Sequence, residues 1–400
     1  MERDVVIAGA CRTPIGSFLG TLKDTHVRTL GALVGKAALQ RAGISPEAVD
    51  EVICGNVIQA GVGGNIGRQI QGDVGIPWST PACTVNQLCA SSMRAFETAF
   101  HNILAGYSEV CLVIGVENMT MAPYLIPKGR TGYRMGPGTI EDAMLHDGLV
   151  CSLEHYHMGV TAENIAERYA ISRQEQDTLA LLSQQRAAAA ISNGNFRDEI
   201  IPVPVKRKKE TVLFDTDEHP RPGTTMEALA SLKPVFKKEN GTVTAGNASG
   251  VNDGAAAVVV MSARKAEELS CTPQAKVLST ASAGVEPAVM GLGPAVSIPR
   301  ALQRAGRAFG DIDYFELNEA FAAQFIGVER MLQEQHGVSF DMEKVNRNGS
   351  GISLGHPIGC TGVRVLVSLV YEMKKLGAAR GCASMCAGGG PSMASIIERL

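Results

Sequence analysis

The chain reads as an α/β protein made from a duplicated strand-and-helix unit, with a less regular stretch inserted between the copies. Three observations lead there. Buried-strand runs alternate with helix-period segments through the first and last thirds, a pattern that calls for a mostly parallel sheet covered on both faces. Four landmarks recur at one separation: Cys89/Cys360, Gly106/Gly377, Cys111/Cys382 and Gly115/Cys386 are each 271 positions apart. A chain of 400 residues also exceeds what one small core organises, so two or three domains, or one doubled domain, are expected.

Taken in order, residues 4–10 form a buried-strand pattern that runs into the loop Cys11-Arg12-Thr13-Pro14-Ile15-Gly16. A helix is predicted over about 24–40, stopped by Gly43, and Ser45-Pro46-Glu47 has the N-cap and first-turn proline of a short helix. Val52–Asn56 is a second strand ending in an asparagine, echoed by Asn318. Met93, Phe96, Phe100, Ile103 and Leu104 recur at helical spacing after Cys89, and Gly106 ends the pattern. Residues 110–115 form another buried strand. Regularity weakens from about 119 to 250, apart from helices predicted at Gly159–Ala170 and Ser172–Ile191, the latter opened by the capping box Ser172-x-x-Glu175. Val345-Asn346 echoes Val85-Asn86 before the second copy. If the copies pack about a pseudo-two-fold axis, their equivalent helices meet there and Cys89 comes close to the 356–360 loop.

Composition narrows the function. Apolar residues at 45% and charged residues at 19% describe a globular chain with a large interior, and a net charge of -3 argues against nucleic acid as the main partner. No apolar run of about 18 residues offers a membrane span. A strand beginning by Asp4 leaves no room for a signal peptide, the final Glu398-Arg399-Leu400 does not match the Ser-Lys-Leu address, and ten cysteines then read as reduced thiols, so a cytoplasmic enzyme is expected. The basic run Lys206-Arg207-Lys208-Lys209 is most simply a solvated loop. The glycines around Gly61–Gly67 miss dinucleotide spacing, Gly31–Lys36 falls short of a phosphate loop, and Cys382-x-x-x-Cys386 has no partner pair, so no metal is assigned.

Four segments carry chemistry. Cys89 stands at the start of its helix, where free N–H groups and the helix dipole would favour thiolate; alone, it is more simply explained by packing. Asn318-Glu319-Ala320-Phe321 closes a strand. His356 lies in the proline-locked loop Gly355-His356-Pro357-Ile358-Gly359, and Cys386-Ala387-Gly388-Gly389-Gly390 lets backbone N–H groups approach a ligand unobstructed. A nucleophile, a base, a second thiol and an oxyanion site are what cysteine-based acyl chemistry needs.

This combination, with His157-Met158-Gly159, Thr161-Ala162-Glu163-Asn164, Thr244–Gly250, Asn252–Ala256 and Val289-Met290-Gly291, resembles the thiolase family along the whole chain, and within it the biosynthetic acetyl-CoA C-acetyltransferases. The resemblance implies a duplicated five-layer α-β-α-β-α core: an N-terminal domain over 1–270, carrying an inserted loop domain at about 120–250, and a C-terminal domain over 271–400. It implies a ping-pong Claisen condensation of two acetyl-CoA to acetoacetyl-CoA and coenzyme A, and its reverse. Cys89 would be acylated with His356 taking its proton, and Cys386 would remove the α-proton of the second thioester. Asn318 would hold a water that shares the enolate oxygen with His356, and the N–H groups of Cys89 and Gly388 would form a second oxyanion site. Leu149, His157, Met158, Arg221, Ala245, Ser249, Met290 and Phe321 would receive coenzyme A and the acyl group, with Arg221 against the adenine. No resident cofactor is expected beyond coenzyme A thioesters as substrates, nor any nucleic-acid or membrane partner. A homotetramer, a dimer of dimers, is expected, with contacts from Met119 to Pro137. Cleavage of longer 3-ketoacyl chains, or acyl-CoA binding without turnover, are the alternatives.

Four positions depart from the family pattern: Ser92 and Ser350 replace glycine, Cys360 replaces alanine, and Pro391-Ser392 follows the triple glycine. Three of them are expected near the site, which bears on acyl-chain preference, and a Cys89–Cys386 disulfide under mild oxidation is a further expectation.

Overall fold

A computed structural model describes residues 4–207 and 210–400; Lys208 and Lys209 of the basic run lie outside the described residues. The first copy contributes β1 (Val5–Arg12), β2 (Gly16–Ser17), α1 (Val27–Ala42), β3 (Glu51–Gly55), α2 (Ile66–Val74), β4 (Ala82–Val85), α3 (Ser91–Ala105) and β5 (Val110–Asn118). The middle stretch holds β6 (Tyr124–Leu125), β7 (Glu141–Asp142), a π-turn at Met144–Leu149, α4 (Met158–Arg168), α5 (Arg173–Ser192), the hairpin β8 (Val203–Arg207) and β9 (Glu210–Phe214), and α6 (Met226–Ala230). β10 (Asn252–Ser262) and α7 (Ala263–Glu268) finish the first copy. The second comprises β11 (Ala275–Gly284), α8 (Pro294–Ala305), β12 (Tyr314–Leu317), α9 (Ala322–His336), α10 (Gly351–Leu354), α11 (Thr361–Leu376), β13 (Arg380–Cys386) and β14 (Pro391–Arg399).

The strands run β12-β13-β14-β11-β1-β10-β5-β3-β4, with β2 beside β10. The β3–β4, β3–β5 and β12–β13 pairs are parallel, while the pairs through β10, β1, β11 and β14 are antiparallel. The sheet is therefore mixed. The two copies join at β1–β11 through three pairs, Val5↔Val277 to Ile7↔Ala275. Val345 bridges Phe315 in parallel, as β4 does β3, so the Val85-Asn86 echo has a structural counterpart.

Side-chain alternation along the strands builds the layers. Ile7, Ile53, Val113 and Val258 from the first copy, and Val277, Ala383, Met385 and Met393 from the second, enclose a central core with α3 and α11. The opposite faces bury Val6, Val52, Leu112 and Val259 under α1 and α2, and Phe315, Cys382, Ala394 and Ile396 under α8 and α9. Helices, sheet, helices, sheet and helices follow one another: this is the five-layer arrangement. Each fully buried large side chain, such as Phe96 or Leu366, contributes about 2 kcal/mol.

The central helices end alike. Gly106 (φ 79°) and Gly377 (φ 67°) both adopt the left-handed C-cap that glycine takes without a Cβ penalty. Their N-terminal ends touch near the axis. The Ser92 hydroxyl donates to the Cys360 carbonyl (3.1 Å) and accepts the N–H of Val363 (3.0 Å), the residue 271 positions on. A Cβ on Gly362 would lie 2.4 Å from the Met93 nitrogen, so glycine allows this approach. Elsewhere α1 begins at Val27, later than predicted, because the His26 ring caps the Arg28 N–H (3.2 Å). The capping box of α5 is present as expected.

Candidate active site

Cys89 sits in the turn between β4 and α3, two residues before the helix begins. Leu88 takes φ 49°, a left-handed conformation costing a branched residue about 1–2 kcal/mol. Local bonds hold it: the Leu88 N–H donates to Asn86 Oδ1 (2.9 Å), and Ser91 Oγ donates to the Leu88 carbonyl (2.6 Å) while accepting the Gln87 N–H (2.9 Å). The backbone N–H groups of Cys89 and Gly388 reach the Cys89 sulfur. The expected depression of this thiol by the helix terminus does not prevail. Burial outweighs the two N–H groups and pushes it up to about 11, so a base must take its proton.

His356, in the loop after α10, is held at its backbone and at both ring nitrogens. Its backbone N–H donates to Asn252 Oδ1 (2.9 Å), whose amide donates to the Gly16 carbonyl (2.9 Å) on β2. Its Nδ1 lies 2.6 Å from Thr361 Oγ1, and that hydroxyl donates to the Pro357 carbonyl (2.9 Å). With its only proton so engaged, the threonine accepts, which puts the imidazole proton on Nδ1 and the lone pair on Nε2. Nε2 faces Asn318 Nδ2 at 3.5 Å. Burial first, and the Arg364 charge second, hold the ring down to about 3, so it is neutral at physiological pH.

Asn318 directly follows β12, its N–H donating to the Ser384 carbonyl (3.0 Å), and its buried Oδ1 has no partner among the described residues. Cys386 ends β13. Burial first, then the neighbouring Cys89, raise its thiol well above the ordinary value. Cys386 packs with Met158, Met290 and Phe321, and Leu88 borders the same cluster. A Cβ at Gly388 would stand 2.4 Å from Met158 Cε and 2.8 Å from Leu88 Cδ1, so this glycine is needed for its N–H to face Cys89.

The residues expected to receive substrate divide. Met158, Met290 and Phe321 line the Cys386 side, and Leu149 packs with Ile58, Ile358 and Cys89. His157 caps α4 and stacks on Phe236 (4.6 Å), whose ring meets Phe321 edge-on (6.3 Å). Ser249 donates its N–H to the Ala320 carbonyl (2.9 Å). Arg221 and Ala245 are exposed on the inserted stretch, with no contact to the thiols.

Sequence reasoning missed Thr361, Leu88, Phe236 and Glu117. Glu117 accepts the N–H groups of Val57 (3.0 Å), Ile58 (3.2 Å) and Gly359 (2.9 Å), tying a loop of each copy together, and burial pushes it up to about 7. An aromatic in the Lys- and Pro-rich stretch around Phe236 was a readable cue; the others had none. The departures also resolve. Ser92 joins the central helices, Ser350 donates to the Leu317 carbonyl (2.8 Å), Cys360 packs in the central core, and Ser392 abuts Gly293. Ser92, Ser350, Cys360 and Ser392 are all fully buried. Among the described residues, no group of His, Cys, Asp and Glu could hold a metal, and no helix is long and apolar enough to cross a membrane.

A doubled five-layer fold with two facing thiols, a neutral histidine and a glycine-cradled sulfur defines a class of acyl-transfer enzymes. The model of the thiolase N-terminal domain matches residues 5–264 and that of the thiolase C-terminal domain residues 271–399; the chain belongs to the thiolase family. It is 52% identical over 402 residues, covering all of both chains, to an acetyl-CoA acetyltransferase of Syntrophomonas wolfei. A solved structure of acetyl-CoA acetyltransferase from that organism matches at a TM-score of 0.98 with 50% identity over 100% of both chains. Human mitochondrial 3-ketoacyl-CoA thiolase matches at 0.94 with 42% identity over 99% of each.

Proposed function

We propose that the protein is an acetyl-CoA C-acetyltransferase that condenses two acetyl-CoA into acetoacetyl-CoA and coenzyme A, reversibly, through an acetyl group on Cys89. Cys89 Sγ attacks the thioester carbon while His356 Nε2 takes its proton. The bond to coenzyme A sulfur breaks, and that sulfur leaves with the proton of Cys386. The Cys386 thiolate then removes an α-proton from the second acetyl-CoA. The carbanion attacks acetyl-Cys89, the C–S bond breaks, and the Cys89 thiolate recovers its proton from His356. Atoms and charges return to their starting state. The N–H groups of Cys89 and Gly388 stabilise the first oxyanion, and His356 with Asn318 the enolate; one such donor is worth about 10²–10³ in rate.

The observation carrying this reading is the Cys89 sulfur, with the Gly388 N–H on it and the Cys386 thiol beside it, in a chain that also buries a neutral imidazole bound at Nδ1 by Thr361 and facing Asn318 at Nε2. The names of the full-length relatives support acetyl-CoA as substrate. The copies divide near residue 270, with the stretch from about 120 to 250 serving coenzyme A and assembly. Exposed Met121, Tyr124, Ile126, Met135 and Ile140 support contacts in a homotetramer. All ten cysteines are free, which fits the cytoplasm.

Mixing the protein with acetyl-CoA, quenching in acid and mapping peptides by mass spectrometry tests the reading. One acetyl group on Cys89 with release of coenzyme A is the expected result. An unlabelled Cys89 in folded, reduced protein would reject acetyl-CoA as donor. Turnover of 3-ketohexanoyl-CoA equal to that of acetoacetyl-CoA would instead favour the longer-chain thiolase reading.

A further inference from the structure

The segment Asp217-Glu218-His219-Pro220-Arg221 bears the arginine assigned to the adenine, and it is fastened at nearly every residue. Asp217 takes a bidentate pair from buried Arg12 (2.7 and 2.9 Å) and the Ile15 N–H (2.8 Å). Glu218 Oε1 accepts the N–H groups of Ser17 (2.7 Å) and Thr21 (2.8 Å), and Oε2 accepts the Thr21 hydroxyl (2.7 Å). Its own N–H donates to the Ile15 carbonyl (3.2 Å). A Cβ on Gly20 would lie 2.0 Å from Glu218 Oε1, so glycine there makes room for the carboxylate. His219 lies over Gly250, where a Cβ would stand 2.2 Å from its ring. The Arg221 N–H donates to Gln184 Oε1 (2.8 Å), and its carbonyl accepts the N–H (3.2 Å) and hydroxyl (2.8 Å) of Thr224.

Against this anchoring, the exposed Arg221 guanidinium makes no hydrogen bond or ion pair among the described residues. A free cation on a fixed backbone costs a ligand little ordering when it binds. Asp217 holds Arg12 in the interior, and its removal would take a partner from a fully buried charge. Glu218 is half-buried and its donors lie on the loop of Ser17 and Thr21, so it can be altered without stranding a buried charge.

We infer that Glu218 is a positioning residue for coenzyme A: by fixing the loop 16–21 against the segment 217–221, it sets the place from which Arg221 meets the nucleotide end of the thioester. This rests on the reading that Arg221 touches coenzyme A. Glu218→Ala, Arg221→Ala and the double variant are compared in steady-state kinetics with acetyl-CoA. Their acylation at Cys89 by S-acetyl-N-acetylcysteamine, a thioester without the nucleotide, is followed beside thermal melting. Each single variant is expected to raise KM about tenfold with kcat within about threefold, and the double variant to be no worse than Arg221→Ala. Acylation by the truncated thioester should be unchanged in all three. Equal slowing with the truncated thioester, or multiplying effects in the double variant, would overturn the inference. An unchanged KM for Glu218→Ala beside an impaired Arg221→Ala overturns it alone, whereas an unchanged KM for Arg221→Ala removes the assignment beneath it.

Discussion

The two copies of the unit share a frame but contribute unequally to the site. The first supplies Cys89 on its turn, and the second supplies Asn318, His356, Cys386 and Gly388. At the related positions stand Cys360 for Cys89, Gly115 for Cys386, Asn56 for Asn318 and Glu117 for Gly388. That second set is sealed: Cys360 is buried with Ser92 on its carbonyl, and Glu117 binds the Asn56 amide (2.9 Å) and three backbone N–H groups. Where Gly388 turns its N–H to the Cys89 sulfur, Glu117 consumes such groups. One fold thus yields an open site and a closed counterpart through a handful of side chains.

The largest contrast is between the related cysteines. Cys89→Ala should lower kcat/KM by at least about 10⁴ because the nucleophile is gone, while Cys360→Ala should leave it within about threefold and cost about 1 kcal/mol of stability. Comparable losses in activity would mean that the second set is not sealed. The related glycines sharpen this. Gly388→Ala meets the mobile end of Met158 and should fold, with kcat down about 10²–10³ as the oxyanion N–H is displaced. Gly115→Ala places a Cβ 2.6 Å from Ser92 Cβ and 3.0 Å from the Cys360 Cα, so its loss should appear in the melting temperature instead.

Thr361 tests the second copy's base. Thr361→Val should cut kcat by about 10–100-fold and Thr361→Ser restore most of it, since only the hydroxyl fixes the Nδ1 tautomer. In the native protein, acetylation of Cys89 should show no step as pH falls through about 6.5, the ordinary histidine value, because His356 remains neutral until about 3. The stability consequence has a definite sign. The unfolded histidine gains its proton below about 6.5 and the folded one does not, so acidification from there toward about 3 removes stability, measurable by denaturant titration. The smallest effect falls at the axis. Ser92→Gly loses two hydrogen bonds between α3 and α11 and should cost about 1–3 kcal/mol with activity intact.

Much of this was legible in the chain itself. The 271-residue repeat and the glycine stops of α3 and α11 announced the duplication, because left-handed caps and helical periodicity are local in origin. The meeting of Cys89 with the second copy followed from the duplication alone. The upward push on the thiol was not legible, since burial is a property of the whole assembly and overrides the local dipole. Thr361 was equally hidden: a hydroxyl five residues after a histidine acquires meaning only when the loop between them turns back. The direction of the Ser92 hydroxyl was hidden for the same reason, because sequence position near a nucleophile does not tell which way a side chain points.

The placement of β1 has a consequence for how the chain is made. β1 lies between β10 and β11, pairing Val5 with both Ser262 and Val277. Neither neighbour exists until the whole inserted stretch has been synthesised, so the apolar run Val5–Ala8 stays unpaired while residues 9–251 are made. A chain released after β9 would expose that strand on both edges. Nascent protein stalled there should be chaperone-bound and protease-sensitive, and should become resistant only once β11 has emerged.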